Sequence, residues 1–383
     1  MLRIVHVITR FVNGGADENT LLTCNHQAEA GHKVWLVYGR EFTERMAGQL
    51  DPRVERVALP RLVREVSPLN DTLALARLAS MLRRIKPDIV HTHTSKAGII
   101  GRAAAFAVPR ARVVHGVHIL PFTGESAIKR AAYILMERIA AMRTDAFIDV
   151  SEGMRDLCLA HSLGREDDHF VIRSGMDIER FRRATPPEDL VSLRHNTGAQ
   201  VLIGYVAVLE RRKRHRELLR AISALLRRQP QAHLLFAGAG PEEDILRKIA
   251  EDEGVGAQVH FLGFREDIDR LLAACDICVF ASEREGLPRS LVQYGLAGKP
   301  IIAMHLPGIE HVLRDGWNGY LVEAEAFDEF GKKLELLVRD PSIRETMASN
   351  SKRIDFSEWD ATRMTDRISM VYSRIGAVPS PVS

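Results

Sequence analysis

The sequence predicts an α/β protein built from two Rossmann-like, doubly wound parallel-sheet domains. Three observations carry this. At 383 residues the chain is too long for one ordinary core and suits two. Short apolar, β-branched runs alternate with amphipathic stretches, the signature of βαβ units. The alternation stops once, near residues 164–200, and then resumes.

In chain order, "RIVHVIT" (3–9), "KVWLVYG" (33–39), "DIVHTHT" (88–94), "RVVHGVH" (112–118) and "AFIDVS" (146–151) read as buried parallel strands. Helical patterns at 17–30, 71–86 and 126–143 separate some of them. Gly, Asp, Pro and Thr then gather in "GREDDHF" and "RRATPPEDL", which predicts a linker near 174–200. Beyond it, "VLIGYVAV" (201–208), "AHLLFAG" (232–238), "QVHFLG" (258–263), "DICVFAS" (276–282) and "KPIIAMH" (299–305) form a second strand series. The resulting division is 1–174 and 175–355, with a frayed tail at "VPSPVS".

Composition narrows the function. Apolar residues make up 46% and charged residues 27%, as in globular proteins, and no apolar run reaches the length of a spanning helix. "MLRIVHVITRF" is too short and strand-like for a secretory signal, and four cysteines do not make a disulfide scaffold. A cytoplasmic protein is expected. Net charge is +3, but residues 1–174 carry 24 Lys+Arg against 19 Asp+Glu and the remainder 29 against 31. The basic first half suits an anionic partner, a phosphate-bearing acceptor or a membrane surface; an ordinary solvated surface explains it equally well.

Ligands of open α/β sheets bind beyond the carboxyl ends of the strands. Three loops there have suitable chemistry. In "VNGGADENT", Gly14 and Gly15 allow close backbone approach just before a helix whose free N–H groups would face an anion; two glycines also make an ordinary tight turn. In "FAGAGPEEDIL", Gly238 and Gly240 begin a dinucleotide fingerprint, but Glu243 stands where the third glycine should be, so NAD is rejected. A plain strand-to-helix turn with Pro241 at the first helical position competes with any ligand reading. In "SEREGLPRSLVQYGLAGKP", Pro288 suits a first helical turn, leaving N–H groups near Gly286 and Leu287 to face a phosphate. Glu285 just before it either caps the helix or accepts from sugar hydroxyls.

These residues carry a resemblance. "NGGADENTL", "HTHTSKAGIIGR", "VVHGVHILPF", "SGMD", "HFLGFRED", "SEREGLP" and "DGWNGYLV", in this order and spacing, resemble the retaining glycosyltransferases of the two-Rossmann (GT-B) type, family 4, over nearly the whole length. The resemblance implies two domains facing across a cleft, with a nucleotide-sugar donor held mainly by the C-terminal one and an acceptor by residues 1–174. "FSEWDATRMTDRISMVYSRI" resembles the family's final helix, which crosses back onto the first domain, so 356–377 joins it. By position, Glu285 contacts donor sugar hydroxyls, amides of Gly286, Leu287 and Pro288 contact sugar and diphosphate, and Lys213 neutralises the diphosphate. Backbone near Phe264 and Arg265 holds the base, His118 reaches the sugar, and Gly14 and Gly15 border the phosphates.

Two positions depart from the family pattern. Val208 stands where an arginine is common, leaving Arg211 or Arg212 to reach the phosphates as bidentate donors. Gln293 replaces a glutamate that accepts from both ribose hydroxyls. Its single acceptor oxygen predicts weaker ribose binding, with activity kept.

Other motifs have plainer accounts. Asp267-Ile268-Asp269 imitates a metal-binding DxD, but Asp267 reads as a helix N-cap. Cys275 and Cys278 precede and enter a strand, whose alternation should place them on opposite faces as core residues. His91 and His93 share one strand face but lack a nearby acidic or Cys partner, so no metal is expected. The basic run at 210–228 has no interleaved aromatics, and its apolar positions 218, 219, 222, 225 and 226 form a core stripe, which argues against nucleic acid. Residues 125–143, with Lys129, Arg130, Arg138 and Arg143, either pack on the core or lie on an anionic membrane, as a peripheral protein on its inner face would.

The resemblance thus implies metal-independent, cofactor-free, retaining transfer of a hexose or N-acetylhexosamine, from a UDP-sugar, to an envelope polysaccharide or lipid-linked acceptor. Two rivals remain at this level: a sugar-nucleotide epimerase of the same fold, and a degenerate nucleotide-sugar-binding subunit.

Overall fold

A computed structural model describes residues 1–12, 14–120, 126–285, 288–306 and 308–377. The chain forms two compact units. Met1–Met176, with the chain from Ser357 onward, makes the first, and Asp177–Phe356 the second.

Among the described residues, the first unit holds seven strands: β1 (Arg3–Phe11), β2 (Lys33–Phe42), β3 (Glu55–Ala58), β4 (Ile89–His93), β5 (Arg112–Val117), β6 (Ala146–Asp149) and β7 (His169–Val171). They pair in parallel in the order β3-β2-β1-β4-β5-β6-β7. The second holds β8 (Val201–Val206), β9 (Ala232–Ala237), β10 (Val259–Phe261), β11 (Ile277–Phe280), β12 (Ile301–Met304) and β13 (Gly319–Val322), parallel in the order β10-β9-β8-β11-β12-β13. Central strands such as Ile89–His93 and Ala232–Ala237 are buried at every position, because helices cover both sheet faces. In each sheet the strand order reverses once, at β1/β4 and at β8/β11. Those are the switch points beside which such sheets bind ligands.

The structure revises several local expectations. The segment expected as a linker contains two helices of the second unit, Ile178–Arg183 and Glu188–Thr197. Each buries one residue, Ile178 or Leu190, so neither shows an apolar stripe in sequence. Ion pairs hold them instead: Arg180 to Asp269 at 2.7 Å and Arg194 to Asp276 at 2.6 Å. Pro288 occupies the N-cap position of helix Arg289–Leu296, one residue before its first turn, and Pro241 lies outside helix Glu243–Asp252, whose N-cap is Glu242. Asp267 does stand at the N-cap of helix Ile268–Ala274, but its carboxylate makes no capping bond and turns to Arg265. Cys275 and Cys278 do not face opposite ways. Cys275 sits on the helix cap before β11, and its hydrogen bond with Cys278 adds to burial in raising the Cys278 thiol pKa. Both cysteines are reduced and buried.

The helix Ala361–Arg374 belongs to the first unit, where Met364, Ile368, Val371 and Tyr372 pack with Ile4, Ile89 and Val114. Helix His215–Arg228 buries the expected stripe of Leu218, Leu219, Ile222, Leu225 and Leu226. Among the described residues, no helix is long and apolar enough to cross a membrane.

Candidate functional site

The two loops that leave the β8/β11 switch point meet in one charged cluster. After β8 the chain forms a short 3-10 turn, Arg211–Lys213. After β11 it runs through Ser282 to Glu285. A backbone bond from Glu283 N–H to the Arg212 carbonyl, 2.9 Å, clips the loops together. Lys213 Nζ and Arg212 Nη1 then converge on the same oxygen, Glu285 Oε1, with Arg212 at 3.2 Å. Arg212 also donates to the Arg284 carbonyl at 3.2 Å and pairs with Glu210 at 2.6 Å. Lys213 and Glu285 are mostly buried, whereas Arg212 is more exposed.

Two buried tyrosines set the backbone beneath this cluster. Tyr205 on β8 donates its hydroxyl to the Lys213 carbonyl at 2.5 Å, and burial raises its pKa. Tyr294 accepts from the Val206 N–H at 2.8 Å and so pins helix Arg289–Leu296 to the end of β8. His215 stacks on Tyr205 at 4.5 Å. Burial first, and Lys213 second, hold its pKa down to about 3, so it is neutral.

Thus Lys213, Arg212 and Glu285 come together. Pro288, the N-cap of helix Arg289–Leu296, accepts at its carbonyl from the Leu291 and Val292 N–H groups at 3.0 and 3.3 Å. Gly286 and Leu287 lie outside the described residues. Gln293 sits half-buried on the same helix. Gly240 needs no ligand to explain it: a β-carbon there would lie 2.4 Å from the Leu209 carbonyl oxygen, so the loops after β8 and β9 approach too closely for a side chain. Phe264 is 52% exposed. Arg265 is bound to Asp267 at 2.7 Å and to Asp189, which raise its already high pKa.

The first unit arranges its switch point differently. Gly14 is the N-cap of helix Gly15–Glu29, and Gly15 begins that helix. Here an internal carboxylate already faces the helix start: Asp17, buried, accepts from Val12 N–H at 3.2 Å. Beyond β4, Thr94 adopts φ 64° and ψ 159°. That conformation costs a β-branched residue on the order of 1–3 kcal/mol. His118 follows β5, half-buried, with its ring 5.8 Å from that of His93.

Among the described residues, two buried groups carry side chains of metal-ligating type: His6, His91 and His93, and Asp149, Cys158 and His169. In the first, both His6 nitrogens are taken, by His93 at 2.9 Å and Gln27 at 2.8 Å. In the second group both His169 nitrogens are taken, by Asp149 at 2.8 Å and the Leu163 carbonyl at 2.7 Å. His6 is the member that sequence reading missed. It sits opposite His91 across the β1–β4 pairing, and only that pairing makes a third histidine visible.

Comparison with known proteins identifies the family. Residues 13–180 match the family described as Glycosyltransferase Family 4, and residues 192–354 match Glycosyl transferases group 1. The chain belongs to glycosyltransferase family 4. It is a glycosyltransferase of GT-B fold. Among its relatives is the putative glycosyltransferase EpsD of Bacillus subtilis, 29% identical over 83% of this chain and 84% of that protein. The UDP-Gal:alpha-D-GlcNAc-diphosphoundecaprenol alpha-1,3-galactosyltransferase of Escherichia coli is 27% identical over 84% of each chain. Among solved structures, HepE of Anabaena in complex with UDP and glucose superposes with a TM-score of 0.81, at 22% identity, over 98% of this chain and all of that one.

Proposed function

We propose that this glycosyltransferase moves a hexose or N-acetylhexosamine from a UDP-sugar, with retention, to an envelope polysaccharide or lipid-linked acceptor. One observation carries the reading: Lys213 and Arg212 converge on Glu285 at the second sheet's switch point, in the loop that leads to helix Arg289–Leu296. A donor diphosphate would replace Glu285 as the partner of the two cations. Freed from them, Glu285 accepts from sugar hydroxyls. As the sugar bond breaks, negative charge grows on the leaving diphosphate, and Lys213, Arg212 and the helix start stabilise it. Fixed cations of this kind do the work of a metal ion, so the proposed reaction needs none and no cofactor. In this reading unit 1 binds the acceptor.

The choice of UDP follows relatives named for UDP-galactose and the UDP complex of HepE. The acceptor class follows the diphosphoundecaprenol-linked substrate in the Escherichia coli relative's name and the capsular polysaccharide role in that of CapM of Staphylococcus aureus. A lipid-linked acceptor also suits helix Ala127–Ala141. Ile128, Leu135 and Ile139, with Met142 at its C-cap, form one exposed stripe, flanked by Lys129 and Arg138, while Glu137 and Ala140 face inward. In this reading that stripe rests on the anionic inner face of a membrane.

The test is incubation with a panel of UDP-sugars, following UDP release and product by NMR. Transfer with retained anomeric configuration, lost in Glu285→Ala, is expected. Epimerised UDP-sugar without an acceptor would show the rival epimerase, and donor binding without any UDP release would show a binding subunit. Leu135→Glu with Ile139→Glu should abolish sedimentation with phosphatidylglycerol vesicles while leaving UDP release intact.

A further inference from the structure

A chain of five buried side chains crosses the centre of the first unit, outside the residues that the transferase reading uses. His91 Nδ1 lies 2.7 Å from the Tyr372 hydroxyl. That hydroxyl lies 3.2 Å from Gln27 Nε2, and Gln27 Oε1 lies 2.8 Å from His6 Nε2. His6 Nδ1 lies 2.9 Å from His93 Nε2. All five residues are at most 3% exposed. The two ends, His91 Nε2 and His93 Nδ1, have no hydrogen-bond partner. Both histidines line a cavity of about 20 Å³, which Gly116, His118, Asn19 and Thr23 also border. A β-carbon on Gly116 would stand 3.2 Å from His93 Nδ1, 3.2 Å from His118 Nε2 and 3.6 Å from His91 Nε2. Glycine therefore leaves open the space on which these nitrogens converge.

The donor and acceptor inventory fixes what fits there. A neutral imidazole has one N–H and one lone pair, tyrosine has one O–H, and the glutamine amide donates from one end and accepts at the other. The hydrogen bonds can run in either of two directions. In one, His93 donates to His6, His6 to Gln27, Gln27 to Tyr372 and Tyr372 to His91; the free ends are then a donor on His91 and a lone pair on His93. In the other the Gln27 amide is turned over, its nitrogen toward His6 and its oxygen toward Tyr372, so that every arrow reverses and the ends exchange roles. Heavy-atom positions do not distinguish the two, but both present one donor and one acceptor. A metal ion would need lone pairs at both ends and an anion would need donors at both.

We propose that this notch binds a single hydroxyl group, of a water or of a sugar, which accepts from one terminal histidine and donates to the other and so closes the ring. The volume suits one oxygen, since a bound water needs roughly 10–15 Å³. Burial keeps the histidines neutral, holding His6 at about 4 and His91 and His93 well below 6.5.

The test is nitrogen NMR of the full chain labelled with ¹⁵N-histidine at pH 7, with a crystal structure beside it. His6, His91 and His93 must share one tautomer, all Nε2–H or all Nδ1–H, and an oxygen should stand within about 3.2 Å of both terminal nitrogens. Mixed tautomers, an imidazolium signal, a metal ion or a dry notch would overturn the proposal. Crystals with and without UDP-glucose separate the two sources: the oxygen either stays a water or becomes a sugar hydroxyl. Gly116→Ala should empty the notch, and an oxygen retained there would count against it. Neither measurement depends on turnover, so failure of the transferase reading would leave the result standing.

Discussion

The two units share one topology and fill their switch points with opposite chemistry. At β8/β11 the loops bring charges together: Lys213, Arg212 and Glu285, with Glu210 beside them. At β1/β4 the strands carry neutral groups, His6, His91 and His93, chained to Gln27 and Tyr372. The difference teaches that a doubly wound sheet sets where a ligand binds, while the side chains at the switch point set which ligand it is. A cluster of fixed charges suits a diphosphate; a neutral network with one donor and one acceptor suits a hydroxyl.

The comparison can be broken in order of effect. One buried ion pair of the first unit is structural: Arg102 and Glu137 lie 2.5 Å apart. Arg102→Met leaves Glu137 unpaired and should cost about 3–5 kcal/mol, while Arg102→Met with Glu137→Leu should regain most of it. Urea denaturation of both variants checks this, and a double variant no better than the single one would mean the pair is not the cause.

Next, Lys213→Ala should lower kcat roughly 10²–10³-fold, about 3–4 kcal/mol of transition-state stabilisation. Its Tm should barely move, because Arg212 still pairs with Glu285. Equal losses of activity and stability would return Lys213 to a structural role.

Acid should act through the buried histidines of both units. His6 has an ordinary value of 6.5 and is lowered to about 4 by burial. As pH falls below 6.5 the unfolded chain takes the proton first, so folded stability declines, by about 3 kcal/mol for His6 on reaching pH 4, with none of that loss above pH 6.5. His91, His93 and His115 are lowered in the same direction by burial, and in the second unit so are His215, to about 3, and His260, to about 4. Amide exchange should therefore show both units opening more readily at pH 5 than at pH 7. Opening that does not change between the two would show that these histidines do not set acid stability.

Gly240→Ala should cost about 1–3 kcal/mol, because its methyl would meet the Leu209 carbonyl at 2.4 Å. A neutral result in thermal melts would show that these loops yield. Smallest of all, Gln293→Glu should tighten UDP-sugar binding about tenfold or less by calorimetry, supplying a charged acceptor for the ribose. No change would mean that position 293 does not face the ribose.

Legibility in the sequence followed apolar patterning. The long strands and the stripe of helix His215–Arg228 read directly from their periods. β3, β7 and β13, of three or four residues with exposed or half-buried positions, were too short to stand out. Helices Ile178–Arg183 and Glu188–Thr197 escaped because ion pairs, not an apolar face, hold them. At the site, Glu285 and Lys213 were legible as motif residues, but their shared oxygen was not, since 72 positions separate them. Nothing local announced the left-handed Thr94, whose strain the packing around it must maintain.

By itself, then, the sequence determined two parallel-sheet units, the loops that carry charge, and the absence of a complete dinucleotide fingerprint, because hydrophobic period and glycine spacing are local properties. The tertiary structure decided which loops meet and which histidines become neighbours. His6 joins His91 only because β1 lies beside β4, and Tyr372 reaches both Gln27 and His91 only because the last helix returns to the first unit. Strand order is settled by long-range packing, which no local pattern encodes.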